Sequence, residues 1–484
     1  MSEPSGTEYG TRARLCQRRR PGGPIRTIIP TAAGRLARPL SRREFLAGLA
    51  AGAGAAALGG CGDTGSGAFV DPESLPLPAP GASGIDHVVV VMMENRSFDH
   101  MLGWTPGADG EQAGLAYPDK QGVARPTWAL APDFQGCSYR DPDHSYAGGR
   151  VQFADGANDG WLVGRSDDLF PIGYYRQEDL AFYGGAVPAW TTLDRYFCAM
   201  LGPTFPNRIY MHAAQTDRKR NTYDVSTLPT IWDRLAGAGL SGRYYYTDLP
   251  VTALWGDHLT SISHPIDEFY ADAAAGRLPH VAYVDPSFVG EGAGISNDDH
   301  PLADVRKGQH FLDRVYRAVA SSPNWSRTVL VVNYDEWGGF YDHVPPPLAP
   351  RTEWDDVIDN DGRLGFRVPT LIASPFARRG FVGHLQYDHT SVLAMIEWRF
   401  GLDPLTVRDA TANNLARVLD FSRPRTDAPT FDVPDGPFGG ECTGGGESVA
   451  AAAGDAERPW RAGLANLAAR NGFALPRADG FGRG

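Results

Sequence analysis

Residues 86–95 read Asp-His-Val-Val-Val-Val-Met-Met-Glu-Asn, an apolar run that ends on a carboxylate and an amide. Residues 328–336 read Thr-Val-Leu-Val-Val-Asn-Tyr-Asp-Glu and end in the same way. Uninterrupted apolar runs are typical of strands buried on both faces, as in a parallel sheet covered by helices. Ligands bind such sheets at the carboxyl ends of the strands. The two runs therefore predict one polar site that is built from both strand ends.

Strand-like and helix-like segments alternate beyond the first run. Further strands are predicted at residues 243–247, 281–284, 328–333 and 368–373, and helices at 231–238, 305–320 and 390–400. Residues 104–200 are rich in Gly, Pro, Asp and aromatic residues, and we expect long loops there. The alternation predicts an α/β fold, a three-layer α/β/α sandwich with a mostly parallel central sheet.

Composition and charge exclude some classes of function. The chain is 42% hydrophobic and 11% aromatic, as a globular body requires. Its formal charge is −12, but residues 1–60 carry ten arginines against three glutamates, a net +7, which leaves −19 for the rest. Such an acidic body is a poor partner for nucleic acid.

The basic N-terminus is interpreted as a targeting segment. Residues 41–46, Ser-Arg-Arg-Glu-Phe-Leu, resemble a twin-arginine export signature, and an uncharged Ala/Gly-rich stretch follows them. Leu-Gly-Gly-Cys at 58–61 resembles a lipoprotein cleavage box, so either Cys61 is lipidated or the mature chain is released. We expect export through the twin-arginine machinery to the cell surface or the medium.

Composition then divides the rest of the chain. Residues 61–84 are rich in Gly, Ser and Pro and are predicted to be a flexible tether. The catalytic domain is expected at 85–422. Residues 423–484 form a Gly/Pro-rich extension that ends in a short amphipathic segment at 461–470.

Three cysteines lie beyond the leader and its cleavage box: Cys137, Cys198 and Cys442. Export permits disulfides, and Cys137–Cys198 is the first pair to test. Buried unpaired thiols remain an equal alternative, because connectivity does not follow from sequence.

The strand ends supply four candidate metal ligands, Glu94, Asn95, Asp335 and Glu336. Sets of oxygen ligands favour hard divalent cations, although zinc also accepts carboxylates. A polar residue after one buried strand is unremarkable, since the chain leaves the core there. Two strands with paired oxygen ligands favour a metal site.

Thr204 is the candidate nucleophile, in Gly-Pro-Thr-Phe-Pro-Asn-Arg at 202–208. Pro206 suits the first turn of a helix that runs to about residue 215. Thr204 would then lie at the helix cap, where free N–H groups and the helix dipole favour a phosphate. On its own the pattern predicts a simple N-cap; the metal cluster makes a nucleophile the better interpretation.

Histidines in polar loops are candidate proton donors. His144 lies in Asp-Pro-Asp-His-Ser, and His300 follows Asp298 and Asp299. Either ring could act as a general acid or contact a phosphate. An aromatic-Asp-His triplet follows each strand end, at 98–100 and 341–343. We interpret His343 as support for the site, and the pattern assigns no role to His100.

These motifs together resemble the bacterial phosphoesterase family of exported phospholipases C and acid phosphatases. The resemblance covers residues 85–420 and rests on residues 93–100, 202–208, 297–301 and 335–347. It implies an alkaline-phosphatase-like fold. It also implies that Glu94, Asn95, Asp335 and Glu336 bind one divalent metal ion and that Thr204 is the nucleophile. His144 and His300 match residues that contact the phosphoryl group or protonate the leaving oxygen. Asp299 stands where some members carry His and is a further candidate catalytic residue.

A threonine nucleophile favours the phospholipase branch, because the phosphatase branch places serine there. We therefore expect a phospholipase C that cleaves phosphatidylcholine-type lipids through a phospho-threonine. Such an enzyme would act at a membrane, either peripherally or through a lipid anchor. The alternative is an acid phosphatase acting on monoesters with the same site. A further rival is a lipoprotein that binds metal without turnover.

Six aromatic residues of the loop region could form a cage for a choline head group. Packing within the loops is an equally good interpretation of the same side chains. They are Trp161, Tyr174, Tyr175, Phe182, Tyr183 and Trp190.

Overall fold

Strands and helices alternate from residue 87 onward. The structure is a computed structural model that describes residues 71–164, 168–290, 293–442 and 458–475. The strands in these ranges are β1 (His87–Met93), β2 (Ala116–Pro118), β3 (Ala124–Pro126), β4 (Trp128–Ala129), β5 (Gly173–Tyr174), β6 (Thr191–Leu193), β7 (Tyr196–Phe197), β8 (Gly242–Tyr246), β9 (Ser263–Pro265), β10 (Val281–Asp285), β11 (Thr328–Tyr334), β12 (Leu371–Ala373), β13 (Phe381–Gly383) and β14 (Tyr387–Asp388). The helices are α1 (Phe98–Leu102), α2 (Tyr146–Phe153), α3 (Ala181–Ala189), α4 (Thr204–Ala213), α5 (Ile231–Gly237), α6 (Ile266–Ala274), α7 (Val305–Ala320), α8 (Glu353–Val357), α9 (His389–Phe400), α10 (Val407–Thr411) and α11 (Arg458–Arg470).

The two strands that contain the apolar runs at 86–95 and 328–336 lie side by side. β1 and β11 pair in parallel, with Val88 beside Val329 and Met93 beside Tyr334. Every residue of β11 is buried, and in β1 His87 alone is partly exposed. The register brings both carboxyl ends to the same edge of the sheet, as the sequence predicts.

The central sheet has eight strands in the order β13-β6-β12-β11-β1-β10-β8-β9. β10 and β8 extend the parallel part on one side of β1. On the other side β12 runs antiparallel to both of its neighbours, β11 and β6. The sheet is therefore mixed but mostly parallel.

Two groups of helices cover this sheet. α3, α6 and α7 form one packed group, and α4, α5, α9 and α10 form another. Because the central strands are buried on both faces, the arrangement is the three-layer α/β/α sandwich that the sequence predicts.

α7 shows how local sequence sets one of these helices. Its start is capped by Asp304, whose carboxylate accepts a hydrogen bond of 3.0 Å from the Arg306 backbone N–H. Phe311, Leu312 and Val315 are buried on one face, at the spacing of an amphipathic helix. The predicted and observed bounds of this helix coincide.

The cysteine pairing differs from the first expectation. Cys137 is joined to Cys442, across 305 positions of sequence. Cys198 is a buried free thiol, so the Cys137–Cys198 pairing is wrong. The bond ties the C-terminal extension to the loop that precedes His144, two parts of the chain that no local pattern connects.

The proposed choline cage is also wrong. All six aromatic side chains named above are buried, none more than 6% exposed. They fill the core beneath the loops. Trp190, for example, packs edge-on against Tyr316 and Trp325.

The predicted leader and most of the tether, residues 1–70, lie outside the described residues. Among the residues that are described, no helix has the length and apolar character needed to cross a bilayer. α11 coincides closely with the amphipathic segment predicted at 461–470, and its Leu464, Leu467 and Ala468 are buried.

Candidate active site

The chain turns sharply where β1 ends. The Glu94 backbone N–H donates to the Asp298 carbonyl at 2.8 Å. Asn95 has φ of 59°, a left-handed conformation that asparagine tolerates better than most residues. Its backbone N–H donates to Asp335 Oδ1 at 3.1 Å, which ties the end of β1 to the end of β11.

The end of β11 packs closely against this turn. The Glu336 N–H donates to Asp335 Oδ1 at 2.7 Å, and the Gly338 N–H to Glu336 Oε2 at 2.7 Å. Gly338 has φ of +64°, and a Cβ built on it would lie 2.0 Å from the Asn95 carbonyl oxygen. Glycine is required there because the two turns touch through their backbones. The four predicted ligands thus come from one buried junction.

Arg208 of α4 lies among the carboxylates of this junction. Its Nε donates to Glu94 Oε1 at 3.0 Å and is 3.4 Å from Asp335 Oδ2, while Nη1 donates to Asp285 Oδ1 at 3.0 Å. Burial, and then the charge of Glu94, raises the pKa of Asp335 well above its usual range. A single guanidinium therefore offsets only part of the negative charge of these buried carboxylates.

Thr204 is the first residue of α4 and is 1% exposed. The helix begins two residues before Pro206, and Pro203 takes the capping position expected for Thr204. Thr204 and Arg208 are four residues apart, so both side chains project from one face of the helix. Since Arg208 reaches Glu94 and Asp335, Thr204 lies on the helix face turned toward the strand ends.

Asn207 fixes the backbone just before Thr204. Its Oδ1 accepts a hydrogen bond of 2.9 Å from the Met200 N–H, and its Nδ2 donates to the Gly202 carbonyl at 2.7 Å. The Phe205 N–H donates to Asn221 Oδ1 at 2.8 Å. One of the helix-start amides expected to be free for phosphate is therefore already bound to a side chain.

His144 and His300 come together with Asp141. Their rings are 5.6 Å apart, and Asp141 Oδ2 lies 3.6 Å from His144 Nε2 and 4.0 Å from His300 Nε2. His144 Nδ1 contacts Glu336 Oε1, and His300 Nδ1 donates to the Pro301 carbonyl at 2.5 Å. Those contacts on Nδ1 turn both Nε2 atoms toward the same space. Glu336 links this pair directly to the strand-end junction.

The junction also suits a cation. Four of its buried carboxylate or amide oxygens have no hydrogen-bond partner among the described residues: Glu94 Oε2, Asn95 Oδ1, Asp298 Oδ2 and Asp335 Oδ2. Buried oxygens of this kind are costly unless a donor or a metal ion satisfies them. A divalent ion would satisfy these oxygens, whereas the acidic and histidine side chains of the described residues that lie close enough together to share one ion are Asp141, His144 and His300, and Asp99, Asp342 and His343.

Comparisons with known proteins agree with this geometry. The family model described as "Phosphoesterase family" matches residues 85–403. The chain belongs to the phosphoesterase family. Similar proteins include Non-specific phospholipase C1 of Arabidopsis thaliana, 32% identical over 71% of this chain and 73% of that one. Phospholipase C B of Mycobacterium tuberculosis is 30% identical over 82% of this chain and 88% of that one. Together these establish a hydrolase of phosphoester bonds.

Solved structures resemble this phosphoesterase at low sequence identity. The lipoteichoic acid synthase LtaP of Listeria monocytogenes matches with a TM-score of 0.37 and 8% identity over 84% of this chain and 98% of that one. An alkaline phosphatase superfamily protein of Vibrio parahaemolyticus matches with a TM-score of 0.34 and 10% identity, over 68% and 70%. The fold class itself rests on the sheet and helix layers described above.

Asp299, a predicted catalytic residue, does not share the contacts of the imidazole pair. Its Oδ2 accepts a hydrogen bond of 2.6 Å from the Tyr334 hydroxyl, and a Cβ on Gly308 would lie 1.9 Å from its Oδ1. Burial raises the pKa of Asp299 to about 7. These contacts place the carboxyl group against α7 and give no support to a catalytic role.

His343 lies in a second cluster, with Asp99, Asp342 and Arg367. Its Nδ1 donates to Asp99 Oδ2 at 2.6 Å, and Arg367 bridges Asp99 and Asp342 at 3.1 and 2.9 Å. Burial opposes the charged ring, but the hydrogen bond and charge of Asp99 raise the pKa of His343 to about 9. The cluster joins the two aromatic-Asp-His triplets and is a salt-bridged part of the core, separate from the predicted ligands.

Two histidines also have structural roles. His389 is neutral, because burial lowers its pKa to about 4, and its Nε2 donates to the Asp335 carbonyl at 2.7 Å. It is the first residue of α9, whose cap is provided by Asp388. His100 Nδ1 donates to the Gly173 carbonyl at 2.8 Å and fixes a loop. Arg208, Asp298 and His389 are the site residues that sequence reasoning missed.

Proposed function

We propose that this phosphoesterase is a phospholipase C that cleaves phosphodiester lipids through a covalent phospho-threonine. One observation carries the proposal. Thr204 and Arg208 lie on one face of α4, and Arg208 joins that face to Glu94 and Asp335 at the strand ends. A buried hydroxyl beside a group of hard oxygen ligands is the arrangement that a phosphoryl-transfer nucleophile needs.

Glu94, Asn95, Asp335 and Glu336 would hold one divalent metal ion, since Glu94, Asn95 and Asp335 carry three of the four unsatisfied oxygens of the junction and Glu336 lies next to Asp335. When bound, such an ion supplies positive charge that favours an ionised hydroxyl and balances charge on phosphoryl oxygens. His389 and Arg208 hold Asp335 in place from two directions.

The reaction then takes place in two displacements at phosphorus, the first by Thr204 and the second by water. Thr204 Oγ forms a bond to phosphorus as the bond to the glycerol oxygen breaks, and His300 or His144 gives that oxygen a proton. Thr204 enters this step ionised, so the imidazole that protonates the glycerol oxygen is left neutral. Water then displaces phosphorus from Thr204 while the neutral imidazole takes the proton of the water, which regenerates both the charged imidazole and the ionised Thr204. Diacylglycerol and the phosphorylated head group are the products.

A lipid substrate is supported by the relatives. The proteins of Arabidopsis thaliana and Mycobacterium tuberculosis that match most of this chain bear the name phospholipase C. Threonine at position 204 is the residue that the phospholipase branch places at the nucleophile. A diester substrate is therefore favoured over a monoester.

The test pairs two substrates with two variants. The wild-type enzyme should hydrolyse p-nitrophenyl phosphorylcholine faster than p-nitrophenyl phosphate. Thr204→Ala should lose turnover at least ~10³-fold with unchanged thermal unfolding, because the nucleophile is removed. Thr204→Ser should keep part of the activity and form the same kind of covalent intermediate, detected as added mass on the α4 peptide. Near-wild-type turnover by Thr204→Ala would exclude the covalent route, and preference for the monoester would assign an acid phosphatase.

We also propose export. The twin-arginine motif at 41–46 motivates it, and the Cys137–Cys442 bond supports it, because disulfides persist outside the reducing cytosol. Anchoring at Cys61 and release after cleavage remain alternatives. Mass spectrometry of the mature N-terminus distinguishes a lipid-modified Cys61 from a free terminus, and replacing Arg42 and Arg43 with Lys should retain the protein in the cytosol.

A further inference from the structure

Residues 423–442, here called the C-terminal strap, run along α7 from its end back to its start. Near the end of the helix, the Tyr316 hydroxyl donates to the Pro429 carbonyl at 2.6 Å, and Phe431 packs against Tyr316. At the start of the helix, the Gly439 N–H donates to Asp304 Oδ2 at 2.6 Å. The strap is thus bonded to the body near both ends of α7.

The last residues of the strap are attached to two different loops. Cys442 is joined to Cys137 by the disulfide, and its N–H donates to the Ala293 carbonyl at 2.9 Å. Gln135 reinforces the junction, since its Nε2 donates to the Gly440 carbonyl at 2.7 Å and to the Gly294 carbonyl at 2.9 Å. Three segments of chain therefore meet at the end of the strap.

Each of the two loops leads directly to one imidazole. Cys137 precedes His144 by seven residues, and Ala293 precedes His300 by seven. Residues 130–145 contain no helix or strand, and neither do residues 294–304. The relative position of the rings, 5.6 Å apart, therefore depends on contacts between the loops as well as on the contact of His144 with Glu336.

We propose that the strap and the Cys137–Cys442 disulfide position His144 and His300 against each other for catalysis. The proposal rests on the proposed function, in which this pair serves the leaving oxygen. Cys137, Cys442 and Gln135 are positioning residues, because the contacts described above join them to the strap and the loops. The chain beyond the family match, which ends at residue 403, thereby completes the site. Full activity then requires the oxidised enzyme.

Redox chemistry gives a direct test on the folded, full-length enzyme. Dithiothreitol supplies two electrons and two protons, converts the disulfide to two thiols and becomes a cyclic disulfide itself. Well below the unfolding temperature, the reduced enzyme should show kcat lowered by about 10–100-fold with KM changed less than about 3-fold, because misplaced groups affect the transition state most. Reoxidation should restore kcat. Thiol labelling must confirm that both cysteines are reduced.

Three variants separate positioning from general weakening of the strap. Gln135→Ala removes the bonds to Gly294 and Gly440 but leaves the disulfide, and it should lower kcat in the same direction as Cys442→Ser. Tyr316→Phe removes a strap hydrogen bond of similar length at the far end, and it should lower Tm without lowering kcat. Hydrogen exchange should rise in residues 130–147 and 293–303 for the first two variants but not for Tyr316→Phe.

The outcomes are separable from failure of the proposed function. If the wild-type enzyme hydrolyses neither nitrophenyl substrate, the proposed function fails first. If it does and kcat is unchanged after verified reduction, the positioning role is refuted while the function stands. The role is also refuted if Tyr316→Phe lowers kcat as much as Gln135→Ala does, since the strap then acts only through stability.

Discussion

Arg208 balances the buried carboxylates at the centre of the site. Glu94, Asp285 and Asp335 all lie within 3.4 Å of its guanidinium, and all are buried. Removing one partner from a buried ion group leaves uncompensated charge, which typically costs about 3–5 kcal/mol. Arg208→Met should therefore lower the free energy of unfolding by about that amount in urea titrations. The exposed pair Arg351–Asp356 gives the control. Arg351→Met should change the free energy of unfolding by less than about 1 kcal/mol. Equal effects of the two variants would contradict this account.

His343 links stability to pH. Its pKa in the folded protein is raised to about 9, mainly by Asp99 acting against burial, and is near 6.5 in the unfolded chain. The stabilisation that the charged His343 ring gives the fold is therefore complete below pH 6.5 and is lost as pH rises through 9. Allowing for solvent screening, we expect the charged ring to contribute roughly 1–2 kcal/mol to the free energy of unfolding. Urea unfolding of wild type and His343→Gln, from pH 6 to pH 10, should show a difference that shrinks toward high pH. A difference independent of pH would mean that the charge of His343 contributes nothing.

At the scale of single residues, the sequence predicted where four oxygen-bearing side chains lie better than it predicted their partners. Glu94, Asn95, Asp335 and Glu336 could be located at one sheet edge because a polar residue after a buried strand has a fixed location, and their binding of a metal ion stays a prediction. Arg208, Asp298 and His389 contact the same strand ends from α4, a loop and α9. The spacing of residues along the sequence does not reveal contacts between such distant elements. The disulfide was missed for the same reason, since Cys137 and Cys442 are 305 positions apart.

The turns after β1 and β11 depend on one glycine. A side chain on Gly338 would meet the Asn95 carbonyl, and its φ of +64° disfavours any other residue. Gly338→Ala should push the two strand ends apart, lower Tm and weaken divalent-metal binding measured by calorimetry. Gly237→Ala is the matched control, because nothing lies within 4 Å of that site at the end of α5. It should leave stability unchanged or slightly higher. Unchanged metal affinity in Gly338→Ala would show that the turns can separate without harm to the site.

At the scale of elements, the predictions succeeded where burial was complete. β1, β10 and β11 are continuous apolar runs and were predicted to within two residues. β6, β9 and β13 are three residues long and too short for a periodic pattern to detect. The antiparallel direction of β12 was also not predicted, since direction depends on how the connecting chain returns to the sheet.

At the scale of the whole molecule, the site is a meeting point of distant segments. Two central strands supply ligands, α4 supplies Thr204 and Arg208, and two loops supply His144 and His300. The strap is bonded to both loops through Cys442, by the disulfide to Cys137 and by the hydrogen bond to the Ala293 carbonyl. A sheet with parallel central strands makes this possible, because it places the carboxyl ends of several strands at one edge.

Metal removal tests whether this meeting point needs a cation. One guanidinium faces Glu94, Asp285 and Asp335, and four buried oxygens lack hydrogen-bond partners among the described residues, so negative charge is in surplus. A divalent ion at 100 times its Kd would stabilise the fold by about 2.7 kcal/mol. A chelator should therefore lower Tm and abolish turnover, and one added metal ion per chain should restore both. In Glu94→Gln, which keeps an acceptor for Arg208 but removes one charge, the chelator should shift Tm much less than in wild type. If Tm and turnover of the wild type survive chelation, with elemental analysis showing no metal, then Arg208 alone satisfies the junction and hydrolysis proceeds without a metal ion.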